Sequence, residues 1–238
     1  MNLWHDFLTN DGKIIHKWAH YFPIYERHFE WYRNKSVTFL EIGVFKGGSL
    51  QMWQRYFGPM AKIVGIDIDD RCKDHEQPGI WVRIGDQSDE RFLQTVIDEF
   101  GVPDIVLDDG SHQMNHINAS FQFLYPKLPK NGIYMVEDLH TAYWNEYGGV
   151  RDNADSFVNQ AKEFIDSLNA DHSRGAVPVD FVTRGTFSIS FYDSIIAFEK
   201  GDVWRKEAPM TGKDSVKGTV REALASFKGA IRGGKMDR

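Results

Sequence analysis

The chain predicts an α/β fold: a doubly wound, mostly parallel seven-stranded sheet with a C-terminal antiparallel hairpin. Three observations carry this. Between residues 37 and 136, unbroken apolar runs alternate with longer amphipathic segments, the pattern of parallel strands covered by helices on both faces. A Gly-rich turn, EIGVFKGGSL at 41–50, joins the first apolar run to the first of those helical segments. After residue 150 two further apolar runs, FSISF and IIAFEK, lie close enough together to pair as a hairpin.

In chain order, residues 1–36 read as an N-terminal helical segment. KIIHKWAHYFPIYERHFEWYR reads as helical and aromatic, with Pro23 breaking or starting a helix. The main domain spans 37–200. Its first five strands are VTFLEIG, AKIVGID, IWVRIGD, DIVLDD and GIYMVED. The segments GSLQMWQRYF, DERFLQTVIDEF and NHINASFQFLYPKL read as the intervening helices. Right-handed crossovers restrict such a chain to a doubly wound sheet, which binds ligands at the carboxyl ends of its strands. DSFVNQAKEFIDSL reads as a further helix, followed by VDFVTR and then by the hairpin, which turns through Tyr192 and Asp193 at the sheet edge. Residues 201–238 are a C-terminal extension whose last 25 or so positions, rich in Lys, Gly and Ser, read as a fraying end.

Composition narrows the function classes. At 238 residues the chain builds one sizeable core and nothing forces a second. Hydrophobic residues at 42% and charged residues at 26% exclude disorder as the dominant state. The aromatic share of 14% supplies pocket walls or an interface, and the aromatic amino-terminal segment is the candidate surface for a homo-oligomer. A formal charge of −6, with no basic stripe outside AIRGGKMDR, argues against nucleic acid as a partner. Cys72 stands alone, which rules out an internal disulfide and fits a reducing cytoplasm. No apolar run approaches the roughly 18 residues of a membrane span, and MNLWHDFLTNDGK lacks the regions of a signal peptide. The expectation is a cytoplasmic protein.

The glycines of EIGVFKGGSL, Gly43, Gly47 and Gly48, permit a tight turn with close backbone approach, and Ser49 opens the following helix with its free N–H groups. The spacing is not GxGxxG, and Glu41 precedes the glycines, which suits a cationic ligand better than a diphosphate. A plain strand-to-helix turn is the alternative. Asp67 closes the second strand, where an acid accepts from both hydroxyls of a ribose. Asp69 and Asp70 read as solvated turn residues. Asp86 and Gln87 end the third strand within reach of an adenine edge, and Ser88 reads as a helix N-cap with Asp89 in the first turn.

LDDGSH and VEDLH are the sharpest features. Asp108 and Asp109 end the fourth strand, Glu137 and Asp138 end the fifth, and neighbouring strands bring these tips together. Four clustered carboxylates repel unless protonated or bridged by a cation. An all-oxygen set suits Mg²⁺, Mn²⁺ or Ca²⁺ rather than Zn²⁺. The alternative is that one or two of them cap helices. His112, three residues after Asp109, is placed to remove a proton from a metal-acidified hydroxyl. His116 would complete an HxxxH zinc pair with His112, which the hard carboxylates nearby oppose.

With these residues in view, the sequence resembles the class I S-adenosylmethionine-dependent methyltransferases. More narrowly, EIGVFKGGSL, VGIDID, LDDGSH and VEDLHTAYW are similar to motifs of the metal-dependent sugar O-methyltransferases of macrolide biosynthesis and the related cephalosporin hydroxylase-like group. The match covers roughly residues 9 to 145 and does not extend to the long amino-terminal domain of the macrolide enzymes. The resemblance implies Asp109, Glu137 and Asp138 as Mg²⁺ (or Mn²⁺) ligands and His112 as general base. It implies Glu41, Gly43, Asp67 and Asp108 as positions that bind S-adenosyl-L-methionine, with Tyr21, from HYFPIYERHF, near that cofactor. The acceptor implied is a small-molecule sugar or glycoside whose vicinal hydroxyls the metal holds. Two rival classes share parts of this pattern. A nicotinamide-dependent oxidoreductase would show GxGxxG, which is missing; a non-catalytic S-adenosylmethionine-binding partner of another enzyme would not need His112 beside a metal.

Overall fold

The computed structural model describes residues 2–202 together with 206–208, 210 and 212. Its strands in chain order are β1 (Thr38–Ile42), β2 (Lys62–Asp67), β3 (Ile80–Ile84), β4 (Ile105–Asp108), β5 (Ile133–Val136), β6 (Thr186–Phe191) and β7 (Ile196–Lys200). They form one sheet in the order β3-β2-β1-β4-β5-β7-β6. The first five are parallel to their neighbours, and β7 runs antiparallel to both β5 and β6. The helices are α1 (Leu3–Leu8), α2 (Phe22–Phe29), α3 (Gly48–Phe57), α4 (Glu90–Phe100), α5 (Met114–Leu124), α6 (Phe157–Asn169) and α7 (Phe181–Gly185). The order reverses between β1 and β4, so the crevice used by open α/β sheets lies beyond the carboxyl ends of those two strands.

Strand alternation divides the core into two layers. Phe39, Ile105, Leu107, Ile133 and Met135 face one side, where Tyr25, Phe29, Trp53 and Phe57 complete an aromatic cluster. Leu40, Ile42, Val106, Tyr134 and Val136 face the other, against Phe121, Tyr125 and Phe157. Trp53 is fully buried among these rings, and truncating it to Ala would cost about 3–5 kcal/mol. The period of two also carries Glu41 to the first layer and Asp108 to the second. Register then aligns the tips: Ile42 pairs with Asp108, and Asp108 with Val136. Gly43, Asp109 and Glu137 therefore leave the sheet side by side.

The structure departs from the sequence expectations in three places. KIIHKW is not helical: residues 14–18 form no helix or strand, Ala19–Tyr21 is a single 3₁₀ turn, and α2 starts only at Phe22 with Pro23 in its first turn. Pro suits that position because its missing N–H is not needed there. The extended path before it lets Lys17 reach the sheet, as shown below. VDFVTR forms the short helix α7, closed by a capping box between Asp180 and Thr183. The N-cap of α4 is Asp89, which accepts from the N–H groups of Arg91 and Phe92; Ser88 instead donates to Asp86. The hairpin turn spans Tyr192 to Ile195, with Ser194 at φ +62°. The expected extension at 201–238 lies almost wholly outside the described residues. Among the described residues, no helix is long and apolar enough to cross a membrane.

Candidate active site

A cavity of about 620 Å³ opens at the carboxyl ends of β1, β2 and β4, with Val44, Ser49, Asp67, Asp109, His112 and Asp138 in its wall. Gly43 is required on its floor. Its φ is +95°, and a Cβ there would stand 2.1 Å from the Asp109 carbonyl oxygen, so only glycine lets the two strand tips approach. Gly47 has φ +73° and lies under the His75 ring, 2.6 Å from where a Cβ would be. Asp67 Oδ2 accepts from the N–H groups of Val44 and Phe45 at 2.8 and 3.2 Å. Its Oδ1 accepts from Asp69 N–H at 2.9 Å. The acid that closes β2 thus shapes the Gly-rich turn while its carboxylate stays in the cavity wall. Asp69 caps the turn at 70–75 and pairs with Arg71 on the surface.

The strand-end acids are bridged by a cation that the sequence reading missed. Lys17 Nζ lies 2.6 Å from Asp109 Oδ2, 3.0 Å from Glu137 Oε2 and 3.4 Å from Glu41 Oε1, with its side chain 3% exposed. Burial alone would lower its pKa, but Asp109, Glu137 and Glu41 together outweigh burial and raise it, so the ammonium keeps its proton. The remaining oxygens of Glu137 and Glu41 are also engaged. Glu137 Oε1 accepts from Tyr25 at 2.6 Å. Glu41 accepts from Ser49 Oγ at 2.7 Å and from Trp53 Nε1 at 3.2 Å. Glu41 and Glu137 are buried as a result, where an unpaired carboxylate would be costly.

Asp109, His112 and Asp138 converge beside this pair. One ligand atom from each lies within 4.8 Å of the others. His112 Nε2 is 4.0 Å from Asp109 Oδ1 and 3.7 Å from Asp138 Oδ2. Tyr21 OH donates to Asp138 Oδ1 at 2.6 Å, so the N-terminal segment orients this acid. His112 and Asp138 both adopt left-handed backbone conformations, φ +57° and +54°. Such strain in non-glycine residues concentrates at functional sites. The two carboxylates fit a divalent cation of the Mg²⁺ or Mn²⁺ kind, with the His112 imidazole beside them. His116 is not part of this group: its Nδ1 contacts Ser111 Oγ at 3.1 Å, and it lines a smaller pocket that shares Gly43, Asp67 and Gly110 with the cavity.

Three predicted positions stand outside the cavity wall, two of them, Asp86 and Gln87, in the smaller pocket that adjoins it. Asp108 is 1% exposed on the other core layer. There Ser120 Oγ, Tyr134 OH and Gln87 Nε2 donate to it at 2.8, 3.0 and 3.1 Å. Gln87 in turn accepts from Ser111 N–H at 2.8 Å, so both residues brace the Gly110 turn. Asp86 lines the smaller pocket beside Ile68, Gly85 and His116, and its carboxyl is held below the usual range by the backbone and hydroxyl of Ser88.

Aromatic rings lead outward from His112. Successive centroid distances are 6.2 Å to Tyr147, 6.0 Å on to Trp144, 5.0 Å to His140 and 5.8 Å to Trp18. Trp144 is 45% and Trp18 54% exposed. Tyr143, also exposed, lines a groove of about 380 Å³ next to His140.

No family model matches the chain. Curated relatives do. It is 37% identical over 190 residues to the 8-demethyl-8-alpha-L-rhamnosyl tetracenomycin-C 2'-O-methyltransferase of Streptomyces olivaceus, covering 76% of this chain and 50% of that protein. It is 37% identical over 199 residues to the Mycinamicin VI 2''-O-methyltransferase of Micromonospora griseorubida, covering 76% and 48%. Among solved structures, MycE methyltransferase in complex with Mg, SAH and Mycinamycin VI superposes with a TM-score of 0.70 at 34% identity, covering 84% of this chain and 53% of that one. The chain spans about half the length of the curated relatives it matches. Over the matched length, the protein is a homologue of the natural-product sugar O-methyltransferases, as its motifs predict.

Proposed function

We propose that the protein transfers a methyl group from S-adenosyl-L-methionine to a hydroxyl of a sugar or glycosylated natural product, with a divalent cation in the acid cluster. The observation that carries this reading is the convergence of Asp109, His112 and Asp138 on the wall of a cavity floored by Gly43 and flanked by Asp67. The relatives named above are O-methyltransferases of sugar-bearing metabolites, which supports the acceptor class.

Each residue has a role in this reading. Gly43, Gly47 and Ser49 form the turn against which the cofactor lies, Asp67 accepts from its ribose, and Glu41 fixes Ser49 from behind. Asp109 and Asp138 hold the cation, with Glu137 as a third carboxylate at the same strand ends. A bound Mg²⁺ supplies Lewis acidity and a template for adjacent hydroxyls. His112 takes the proton from the attacking hydroxyl. Its distances of 3.7 and 4.0 Å from the carboxylates leave its ring at the cavity wall rather than in a short hydrogen bond. Trp18, Trp144 and Tyr147 present faces on which a glycoside packs.

The test is calorimetry with S-adenosyl-L-methionine and with NADH, each with Mg²⁺ and with a chelator, followed by transfer assays on rhamnosyl glycosides. Binding of the first but not the second, with metal-dependent transfer abolished in Asp109→Ala, is the expected result. Metal-independent turnover by Asp109→Ala and Glu137→Ala would overturn the metal role. Cofactor binding with no transfer to any glycoside would favour a non-catalytic binding partner.

A further inference from the structure

Lys17 occupies a position that a cluster of strand-end acids would otherwise offer to a metal ion. Its ammonium engages one oxygen of Asp109 and one of Glu137, at 2.6 and 3.0 Å. Both acids belong to the ligand set of the function proposed above, on which this inference rests. Glu137 has no oxygen left over, because the other accepts from Tyr25. Asp109 keeps only Oδ1 toward His112. A magnesium ion must approach carboxylate oxygens to about 2.0–2.1 Å. The Lys17 ammonium denies a cation Asp109 Oδ2 and Glu137 Oε2 and repels it by charge, leaving Asp109 Oδ1 and Asp138 Oδ2 on the His112 side.

Lys17 is also the anchor of a strap. Residues 14–18 have no regular structure, and Ile14, Ile15, His16 and Lys17 all line the cavity. Upstream, the carbonyls of Lys13 and Ile14 press on Gly48 at the amino end of α3; a Cβ on that glycine would meet them at 2.4 and 2.3 Å. Lys13 Nζ reaches His75 Nδ1 at 2.9 Å. Inside the cavity, then, the strap is tied to the acids through the Lys17 side chain.

We propose that Lys17 is a built-in competitor of the divalent cation: it holds Asp109 and Glu137 in the metal-free protein, and metal entry displaces it and loosens the strap that walls the cofactor cavity. By linkage, metal loading and strap release share one free energy.

Calorimetric titration of wild type and Lys17→Met with Mg²⁺ alone, and with Mn²⁺ alone, tests this. Removing a like charge from a poorly solvated site should tighten binding by about tenfold or more, and Mg²⁺ should raise the Tm of the variant more than that of wild type. Equal or weaker binding in Lys17→Met overturns the proposal while leaving the metal site standing. Absence of binding in both proteins overturns the metal reading and the proposal together. Should Lys17→Met fold only with metal present, acetic anhydride labelling of wild type reads the same event by mass spectrometry. Lys17 should be unreactive in chelator and reactive in saturating Mg²⁺; protection that persists in Mg²⁺ overturns the displacement.

Discussion

Tyr21 donates a 2.6 Å hydrogen bond to Asp138 Oδ1, and this one contact ties the turn before α2 to the end of β5. Asp138 sits at φ +54°, so its carboxylate is aimed by a strained backbone and held by a tyrosine from 117 positions away in the chain. Tyr21→Phe keeps the ring packing and removes only the donor. A hydrogen bond to a charged acceptor contributes roughly 1.5–3 kcal/mol, so urea unfolding should lose about that much stability. Mg²⁺ affinity should fall as Asp138 loses its orientation, which calorimetry reads. Unchanged metal affinity would show that Asp138 is not a ligand.

His112→Ala should lower kcat by roughly 10²–10⁴, the usual contribution of a positioned proton acceptor. Binding of S-adenosyl-L-methionine should stay within about twofold of wild type, because Asp67 and the turn at 43–49 do not rest on the imidazole. Single-turnover kinetics with a glycoside acceptor separate the two effects. A variant that turns over normally would remove His112 from the mechanism.

Trp144 touches neither the acids nor the Gly-rich turn, yet it continues the line of rings that starts at His112. Trp144→Ala should raise KM for a glycoside acceptor about tenfold, with cofactor and metal affinities unchanged, since the ring is already half exposed and its loss leaves the core intact. A fall in kcat alone, with KM unchanged, would mean that this face does not carry the acceptor.

Acid stability has a separate source. Glu199 on β7 is held below its ordinary value of about 4.5 chiefly by the hydrogen bond from His28, with Ser188 adding to it against the opposing effect of burial. Because the folded value is the lower one, the unfolded chain binds more protons in the window between them. The contribution is therefore complete above about pH 4.5 and is lost as pH falls through the depressed folded value. Glu199→Gln should flatten the acid limb of a urea midpoint measured from pH 6 to pH 3. An unchanged limb would place the acid sensitivity in other carboxylates.

The strands, the doubly wound class of the sheet and the acids at its tips were legible in the sequence because each is a local pattern. An apolar run ending in a carboxylate needs no partner to be seen, and the crossover rule restricts how such runs assemble, while the order itself came from the structure. Local reading also failed in local ways. Ser88 and Asp89 are both good caps, and only backbone geometry chose Asp89. Asp108 and Asp109 look equivalent on paper, but strand parity sends Asp108 to Ser120 and Tyr134 on one layer and leaves Asp109 to Lys17 and the cavity on the other.

What the sequence determined by itself is therefore the sheet, the Gly-rich turn and the gathering of acids at adjacent strand ends, because these follow from periodicity and connectivity. What only the tertiary structure decided is how those acids are neutralised. Lys17 lies 92 positions from Asp109 and 120 from Glu137, within a stretch whose apolar and aromatic neighbours read as helix. An ion pair over that distance leaves no periodic trace. Burial pushes the carboxyls of Glu41 and Glu137 up, and the positive charge that opposes this comes from the folded chain's own N-terminal segment.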